Sequence, residues 1–286
     1  MISDMLKIHD KTDILRCATL SKCDLSTKLV FEFTELQGFI GQSYAEFDGE
    51  NKTVSKGICE HYFPLGANSE LPSEITGQIV SLADKIDTIN ALFISTQGDK
   101  KKKRPTGSND PLGARRAAIG ILRTVIENKL NLNIQKVIEY SLKLLSDEFS
   151  IPLENCITDE IKDFYIQRLF SGIQRLLVMY EREFSVNIIN SILNFNPLED
   201  IFEFINRAKT LTESLKEDGF QKTKENATRV FKILKDKKAL ELDEKLFVLP
   251  QEKELYSAIL AHNTSKDELK TYIKSLENLN SSVVNF

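Results

Sequence analysis

Apolar side chains recur at steps of three and four residues along most of the chain, with polar residues between them. This period is that of a helix with one buried face. Sustained alternation bounded by hairpin turns, the pattern of a strand, does not occur in the sequence. We therefore predict an all-α fold. We expect the stripes of apolar residues, one on each helix, to form the hydrophobic core rather than cofactor-binding sites. These stripes are Leu36, Phe39, Ile40, Tyr44 and Phe47; Ile75, Ile79, Leu82, Ile86, Ile89 and Phe93; Ile134, Val137, Ile138, Leu142 and Leu145; and Leu169, Ile173, Leu176 and Tyr180.

Capping residues and prolines indicate where several of these helices begin and end. Small polar side chains accept hydrogen bonds from the first free amides of a helix, and proline is well tolerated at the first helical position. The predicted signals are Thr34 as a cap with Gly49 as a stop, Ser73 before the second stripe, Asp110-Pro111 and Asn196-Pro197 as starts, and a capping box of Ser265 with Glu268.

Length and composition indicate a soluble globular protein of one or two domains. The 286 residues are 41% hydrophobic and 28% charged, and their apolar runs fall far short of the ~20 residues that cross a bilayer. Four cysteines without a CxxC pair favour reduced thiols in a cytoplasmic protein. The softest junction is the segment SDEFSIPLENCIT, which predicts domains at 1–150 and 151–286.

One basic segment stands out in a chain of net charge −4. Overall acidity argues against nonspecific coating of nucleic acid, but it allows one local basic site. Two adjacent arginines follow the predicted helix start at Asp110-Pro111, where the helix dipole disfavours cations. The segment is either an electropositive edge that contacts phosphate, or a solvated lysine loop beside arginines paired with acids. Its members are Lys100, Lys101, Lys102, Lys103, Arg104, Arg115 and Arg116.

The usual catalytic patterns are absent from the sequence, which contains no GxxxxGK[ST], GxSxG or HExxH. His61 could join Asp24 and Asp84 in space, as in the metal sites of helical HD-type phosphohydrolases. However, the His-Asp pair of such sites reads Cys23-Asp24 here, and the first histidine is not evident. We predict an HD-like helical scaffold with polar remnants and no metal. The alternative is a degenerate or active HD-type metal-dependent phosphohydrolase that acts on nucleotides.

The first 130 residues contain a series of motif blocks in a fixed order. They are Leu20-Ser21-Lys22-Cys23-Asp24-Leu25, Val30-Phe31-Glu32-Phe33-Thr34-Glu35-Leu36-Gln37-Gly38, Gly41, Tyr44-Ala45, Gly49-Glu50, Glu60-His61-Tyr62, Pro64, Leu71-Pro72, Ala83-Asp84-Lys85-Ile86-Asp87-Thr88, Pro105-Thr106-Gly107-Ser108, Asp110-Pro111 and Arg115-Arg116-Ala117. In this order the blocks resemble the β subunit of the bacterial heterotetrameric glycyl-tRNA synthetase. Shorter blocks in the second half are Asp163-Phe164, Arg168-Leu169 and Leu249-Pro250 with Glu252. These are similar to the helical DALR-type anticodon-binding domain shared with arginyl-tRNA synthetases.

The resemblance implies a tRNA-recognition role. In this family the α subunit handles glycine and ATP with magnesium, and the β subunit recognises tRNA(Gly) with its HD-like domain near the acceptor arm. It also implies a cytoplasmic heterotetramer, no cofactor or catalytic site on this chain, and no DNA or membrane partner. The basic segment is then expected to face the tRNA backbone. The family's β subunit is much longer than this chain, so we expect a fragment or a truncated product.

Overall fold

The computed structural model describes residues 1–66, 68–96, 110, 113–153, 157–179, 186–192, 194–234, 247–261 and 269–285. Within these ranges every regular element is helical, which confirms the predicted all-α class. Short 3-10 turns lie at Cys23–Ser26 and Thr34–Leu36. The α-helices are α1 Ile2–Met5, α2 Thr12–Leu20, α3 Lys28–Glu32, α4 Phe39–Phe47, α5 Lys52–Glu60, α6 Ile75–Thr96, α7 Ala114–Glu127, α8 Ile134–Phe149, α9 Ile157–Met179, α10 Val186–Ile192, α11 Ile201–Ser214, α12 Asp218–Leu234, α13 Pro250–Ala261, α14 Leu269–Asn278 and α15 Asn280–Asn285.

The chain divides into two compact units. The first comprises Met1–Glu183 with Phe195–Phe202, and the second comprises Phe184–Asn194 with Glu203–Phe286. This division lies beyond the boundary predicted at residue 150, because α9 packs against α6 and α7. The Phe93 and Phe164 rings meet edge to face with their centroids 5.4 Å apart. The HD-like and anticodon-binding identities of the two halves stay predictions.

Helix α6 forms the centre of the first unit, where α2, α5, α7 and α8 pack around it. Its predicted stripe is buried from Ile79 to Phe93, whereas Ile75 at its first turn is exposed. The buried Glu60 carboxylate links α5 to the start of α6, since it accepts hydrogen bonds from the Ser73 amide at 3.0 Å and the Ser73 hydroxyl at 2.7 Å. A carboxylate at this position also complements the positive end of the α6 dipole.

The second unit has its own packing, in which α12 contacts α14 and α15, and α13 contacts α15. Polar side chains connect these helices. The Asn280 side chain donates to the Thr223 hydroxyl at 2.8 Å, and the Asn226 side chain donates to the Oδ1 of Asn280 at 3.0 Å.

Helix α7 begins later than predicted. It starts at Ala114 rather than at Pro111, and Gly113 precedes it with a positive φ of 65°. The Asp110 carboxylate nevertheless accepts a hydrogen bond from the Arg115 amide, at 3.2 and 3.3 Å from its two oxygens. Asp110 therefore caps the first turn of α7 from further upstream than a standard cap does.

The start predicted at Asn196-Pro197 is also wrong. The Asn196 side chain accepts from the Leu198 amide at 3.0 Å, a local turn that competes with helix, and α11 begins only at Ile201. The capping box of Ser265 with Glu268 lies outside the described residues.

The helix predicted from the Thr34 cap is divided in two. Thr34–Leu36 forms a 3-10 turn, and Gly38 then adopts a φ of 83°, which favours glycine. Helix α4 begins only after this break and ends before Gly49, the predicted stop.

The stripe on α4 is not core, which corrects the prediction. Its buried residues are Gly41 and Ala45, on the side that packs against α5. A Cβ at Gly41 would lie 2.8 Å from Ile58 Cγ2, so the close approach of the two helices requires glycine. The predicted stripe lies on the other side, where Phe39 is 47% and Phe47 is 90% exposed.

Candidate functional site

The three residues singled out as remnants of a metal site come together around Tyr62 in the first unit. Asp24 lies on the 3-10 turn after α2, His61 directly follows α5, and Asp84 lies on α6. The His61 and Tyr62 rings are 3.9 Å apart between centroids. Burial raises the pKa of Tyr62, and the charges of Asp24 and Asp84 raise it further.

Asp24 fixes the chain ahead of α4. It is 2% exposed, and its Oδ2 accepts a hydrogen bond of 2.6 Å from the Gly38 amide. Its Oδ1 is buried without a hydrogen-bond partner among the described protein groups. One oxygen of this carboxylate is thus already engaged in structure.

His61 is fully buried and neutral at physiological pH. Its Nδ1 lies 2.6 Å from the Ile58 carbonyl oxygen. Because that oxygen can only accept, Nδ1 carries the proton and Nε2 is left with a lone pair. Burial lowers the pKa of His61 to about 4, and the nearby Lys22 charge lowers it in the same direction.

Asp84 pairs with a lysine that the sequence reasoning did not select. Lys22 Nζ lies 3.0 Å from Asp84 Oδ1 and 4.3 Å from the centroid of the Tyr62 ring, over its face. The only available signal was the position of Lys22 next to Cys23-Asp24 in the sequence.

Lys85 is the second cation that the sequence reasoning missed. Its Nζ, on a side chain only 8% exposed, donates to the carbonyl oxygens of His61, Tyr62 and Phe63 at 3.0, 3.2 and 2.8 Å, and lies 2.8 Å from the Ser81 hydroxyl. These carbonyls follow the C-terminal end of α5, where the helix dipole favours a positive charge. Burial lowers the pKa of Lys85 to about 8, so the amino group remains protonated at neutral pH.

The engagement of the two carboxylates opposes a divalent metal at this site. Asp84 is paired with Lys22, and one oxygen of Asp24 is bonded to the Gly38 amide. Two ammonium groups already supply positive charge beside these donors. In the described part of the chain, no group of three or more His, Cys, Asp or Glu side chains is placed to hold a metal ion.

A cleft of about 250 Å³ opens between the segment after α5, α6 and the start of α7. Its polar lining includes Asp84, Lys85, Thr88 and Arg116. Since Lys22 offsets the charge of Asp84, Lys85 and Arg116 leave the cleft with an excess of positive charge. Such a lining attracts phosphate, and the exposed Arg116 guanidinium offers a planar set of donors for it.

Arg115 has different neighbours from Arg116. It is half-buried and lies close to Arg168, whose pKa is lowered by burial first and by the Arg115 charge second. Arg168 also lies over the Phe164 ring, 4.7 Å from its centroid. The structure therefore places one of the two paired arginines in the cleft and the other towards α9. Lys100 to Lys103 and Arg104 lie outside the described residues.

Comparison with known proteins gives a consistent result. A family model described as glycyl-tRNA synthetase beta subunit matches residues 1–194. The glycine–tRNA ligase beta subunit of Buchnera aphidicola subsp. Schizaphis graminum is 40% identical over 205 residues, which cover 71% of this chain and 28% of the relative. That of Syntrophotalea carbinolica is 35% identical over 244 residues, 85% of this chain and 33% of the relative. That of Glaesserella parasuis serovar 5 is 32% identical over 286 residues, 97% of this chain and 39% of the relative.

The chain thus spans about a third of the length of these curated relatives. None of the helices in the described ranges is long and apolar enough to cross a membrane. The match extends over most of the first unit, including the cleft and the polar groups around Tyr62. On this evidence the chain belongs to the glycyl-tRNA synthetase β-subunit family.

Proposed function

We propose that this chain is the tRNA-recognition part of a glycyl-tRNA synthetase β subunit. It supports the ATP-dependent attachment of glycine to tRNA(Gly), a reaction catalysed with an α subunit. Family membership supports the role in glycyl-tRNA synthesis. The recognition role rests on the geometry of the cleft.

The observation that carries RNA binding is the positive lining of the cleft between α6 and α7. Arg116 is exposed, and both Arg116 and the buried Lys85 line the cleft. Contacts to phosphate fix the position of a protein on nucleic acid without reading its sequence. The cations of the basic segment outside the described residues, Lys100 to Arg104, are proposed to extend this surface along the tRNA backbone.

Several polar groups around Tyr62 are already bonded within the protein, which favours RNA binding over nucleotide hydrolysis as the role of this chain. A phosphohydrolase of the HD type needs several carboxylate and imidazole donors free for metal. Here the Asp84 carboxylate is paired with Lys22, and one oxygen of the Asp24 carboxylate accepts a hydrogen bond from the Gly38 amide. We propose that ATP, magnesium and glycine are bound by the α subunit in a cytoplasmic heterotetramer, and that this chain has no catalytic site.

The test is tRNA(Gly) binding measured as a function of salt. If about five basic side chains contact phosphate, log K against log salt should have a slope of about −4 for the unmodified chain. The double variant Arg115→Ala/Arg116→Ala should flatten it by about one to two units. Of the two arginines, Arg116 is the one among the described residues that line the cleft. The single variant Arg116→Ala should therefore account for most of this change in slope. Arg16→Ala is a matched control, since Arg16 is exposed and pairs with Glu50 elsewhere in the same unit.

Two results would contradict the proposal. One is an unchanged slope and affinity in the double variant, with helicity intact by circular dichroism. The other is phosphohydrolase activity on nucleotides that is lost on chelation, which would favour the HD-type alternative. Binding that persists in the presence of a chelator supports RNA recognition without metal.

A further inference from the structure

The outward side of the segment from α3 to α4 exposes an unusual amount of aromatic surface. The exposed fractions are 79% for Phe31, 50% for Phe33, 47% for Phe39, 45% for Tyr44 and 90% for Phe47. We call these five residues the outer face. The last three lie on the side of α4 opposite Gly41 and Ala45, which pack against α5. Helix α3, which precedes Phe33, contacts the 3-10 turns on both sides of it, and the second of these turns leads into α4.

The summed exposed area of the outer face lies in the upper part of the range for the largest apolar patch of a monomer. A phenylalanine side chain offers about 200 Å², so the four phenylalanines alone expose on the order of 500 Å². The largest apolar patch of a typical monomer is about 300–600 Å². Leu25, Leu29 and Leu36 in the same segment are also exposed. With these leucines and Tyr44, the area approaches the roughly 800 Å² that each partner contributes to a standard interface.

The charges around the outer face identify the kind of partner. Glu32, Glu35, Glu46 and Asp48 are all exposed, whereas Lys28 is the only basic residue between Leu25 and Gly49. An acidic rim repels the phosphates of RNA, so tRNA does not fit this surface. It also disfavours a symmetric pairing of two copies, because a two-fold contact would bring the same acidic residues together. The complementary partner is a protein whose apolar patch is ringed by lysine and arginine.

We propose that the outer face docks the α subunit of the ligase through such a patch. The inference rests on the proposed function, which supplies that partner. The apolar side chains provide the contact area, and the acidic rim steers the encounter and fixes its register. The cleft between α6 and α7 and the outer face are then two separate surfaces, a basic one for tRNA and an acidic-rimmed one for protein.

The experiment measures binding of the purified chain to the purified α subunit by calorimetry, with sedimentation to report oligomeric state. The double variant Phe31→Ser/Phe47→Ser removes the two most exposed aromatic rings of the outer face, which contribute little to the core. Affinity should fall at least tenfold. Phe149→Ser is the matched control, because Phe149 is 62% exposed at the end of α8. The affinity of this variant for the α subunit should be unchanged. Glu32→Gln/Glu35→Gln should slow association and weaken its salt dependence.

Several outcomes would overturn the proposal. The double variant could bind the α subunit as tightly as the unmodified chain, which would mean that another segment covers the outer face. The unmodified chain could fail to bind the α subunit. The unmodified chain could also form a dimer that the double variant does not form, which would mean that a second copy of the chain covers the outer face. The tRNA(Gly) assay separates this inference from the proposed function, since the phenylalanine variant should keep the salt slope of the unmodified chain. Loss of docking with tRNA binding intact would leave the proposed recognition role standing.

Discussion

Replacing Lys85 with methionine should destabilise the first unit by about 3 kcal/mol. The variant keeps the length of the side chain but removes the ammonium that donates to the carbonyl oxygens of His61, Tyr62 and Phe63 and contacts Ser81. The methionine leaves three buried carbonyl oxygens without this donor, and the loss of a hydrogen-bond partner costs roughly 1 kcal/mol for each at the lower end of the usual range. The three together give the expected loss of about 3 kcal/mol.

The assay is urea unfolding followed by far-ultraviolet circular dichroism, together with native-state hydrogen exchange of the amides in α5 and α6. The exchange measurement is needed because the chain has two compact units and an unfolding curve reports both. Lys52→Met is the control, since Lys52 is exposed at the start of α5 and its loss should change stability by at most about 0.5 kcal/mol. A loss below about 1 kcal/mol for Lys85→Met would refute the reasoning.

The unmodified chain and the Lys85→Met variant should also differ in how their stability depends on pH. The folded chain holds the pKa of Lys85 at about 8, below the ordinary 10.5 of the unfolded chain. Between these values the unfolded chain binds the proton and the folded chain does not. The stability of the unmodified chain relative to Lys85→Met should therefore rise as pH increases from about 8 to about 10.5. This contribution is lost as pH falls through about 8, and a flat difference across the window would contradict the assignment.

Three further outcomes are expected. Elemental analysis should find no stoichiometric manganese, iron or magnesium in the unmodified chain, and Asp84→Ala should leave metal content unchanged; a stoichiometric metal would support the HD-type alternative. Without a partner the chain should neither form glycyl-adenylate nor charge tRNA, and robust aminoacylation by it alone would overturn the assignment of catalysis to the α subunit. Maleimide at neutral pH should label Cys23, which is exposed, before Cys17 and Cys59, because burial raises the pKa of these two thiols to about 12 and about 11; equal labelling of all three in the folded chain would contradict this.

Helix content was predictable from the sequence, but the direction in which a stripe faces was not. The period of three and four correctly indicated that Phe39, Tyr44 and Phe47 share one side of a helix. It could not tell that the small residues Gly41 and Ala45 form the buried side. A period records which residues lie together, whereas burial depends on which side allows a neighbouring helix to approach. On α6 and α8 the larger apolar side was also the inner one, so the same reasoning succeeded there.

Only the two aspartates and the histidine of the candidate site could be predicted from the sequence. Asp24, His61 and Asp84 stood out because a known class of metal site uses those residue types. Lys22 and Lys85 did not, because a lysine in a helical sequence is usually solvated. Their roles follow from tertiary contacts, one with the Asp84 carboxylate and one with the carbonyls after α5. Such contacts join residues far apart in the chain and leave no local pattern.

Lys22 and Lys85, which both lie next to Tyr62, differ from a metal ion in one respect. A dissociable ion stabilises a fold by mass action, so its contribution falls when the ion becomes scarce or is chelated. Lys22 and Lys85 are part of the chain, and their occupancy is complete at any concentration of divalent ions. The contacts that these two lysines make are therefore independent of the metal supply. Their pH dependence is that of Lys85, which is protonated at neutral pH because its pKa is about 8.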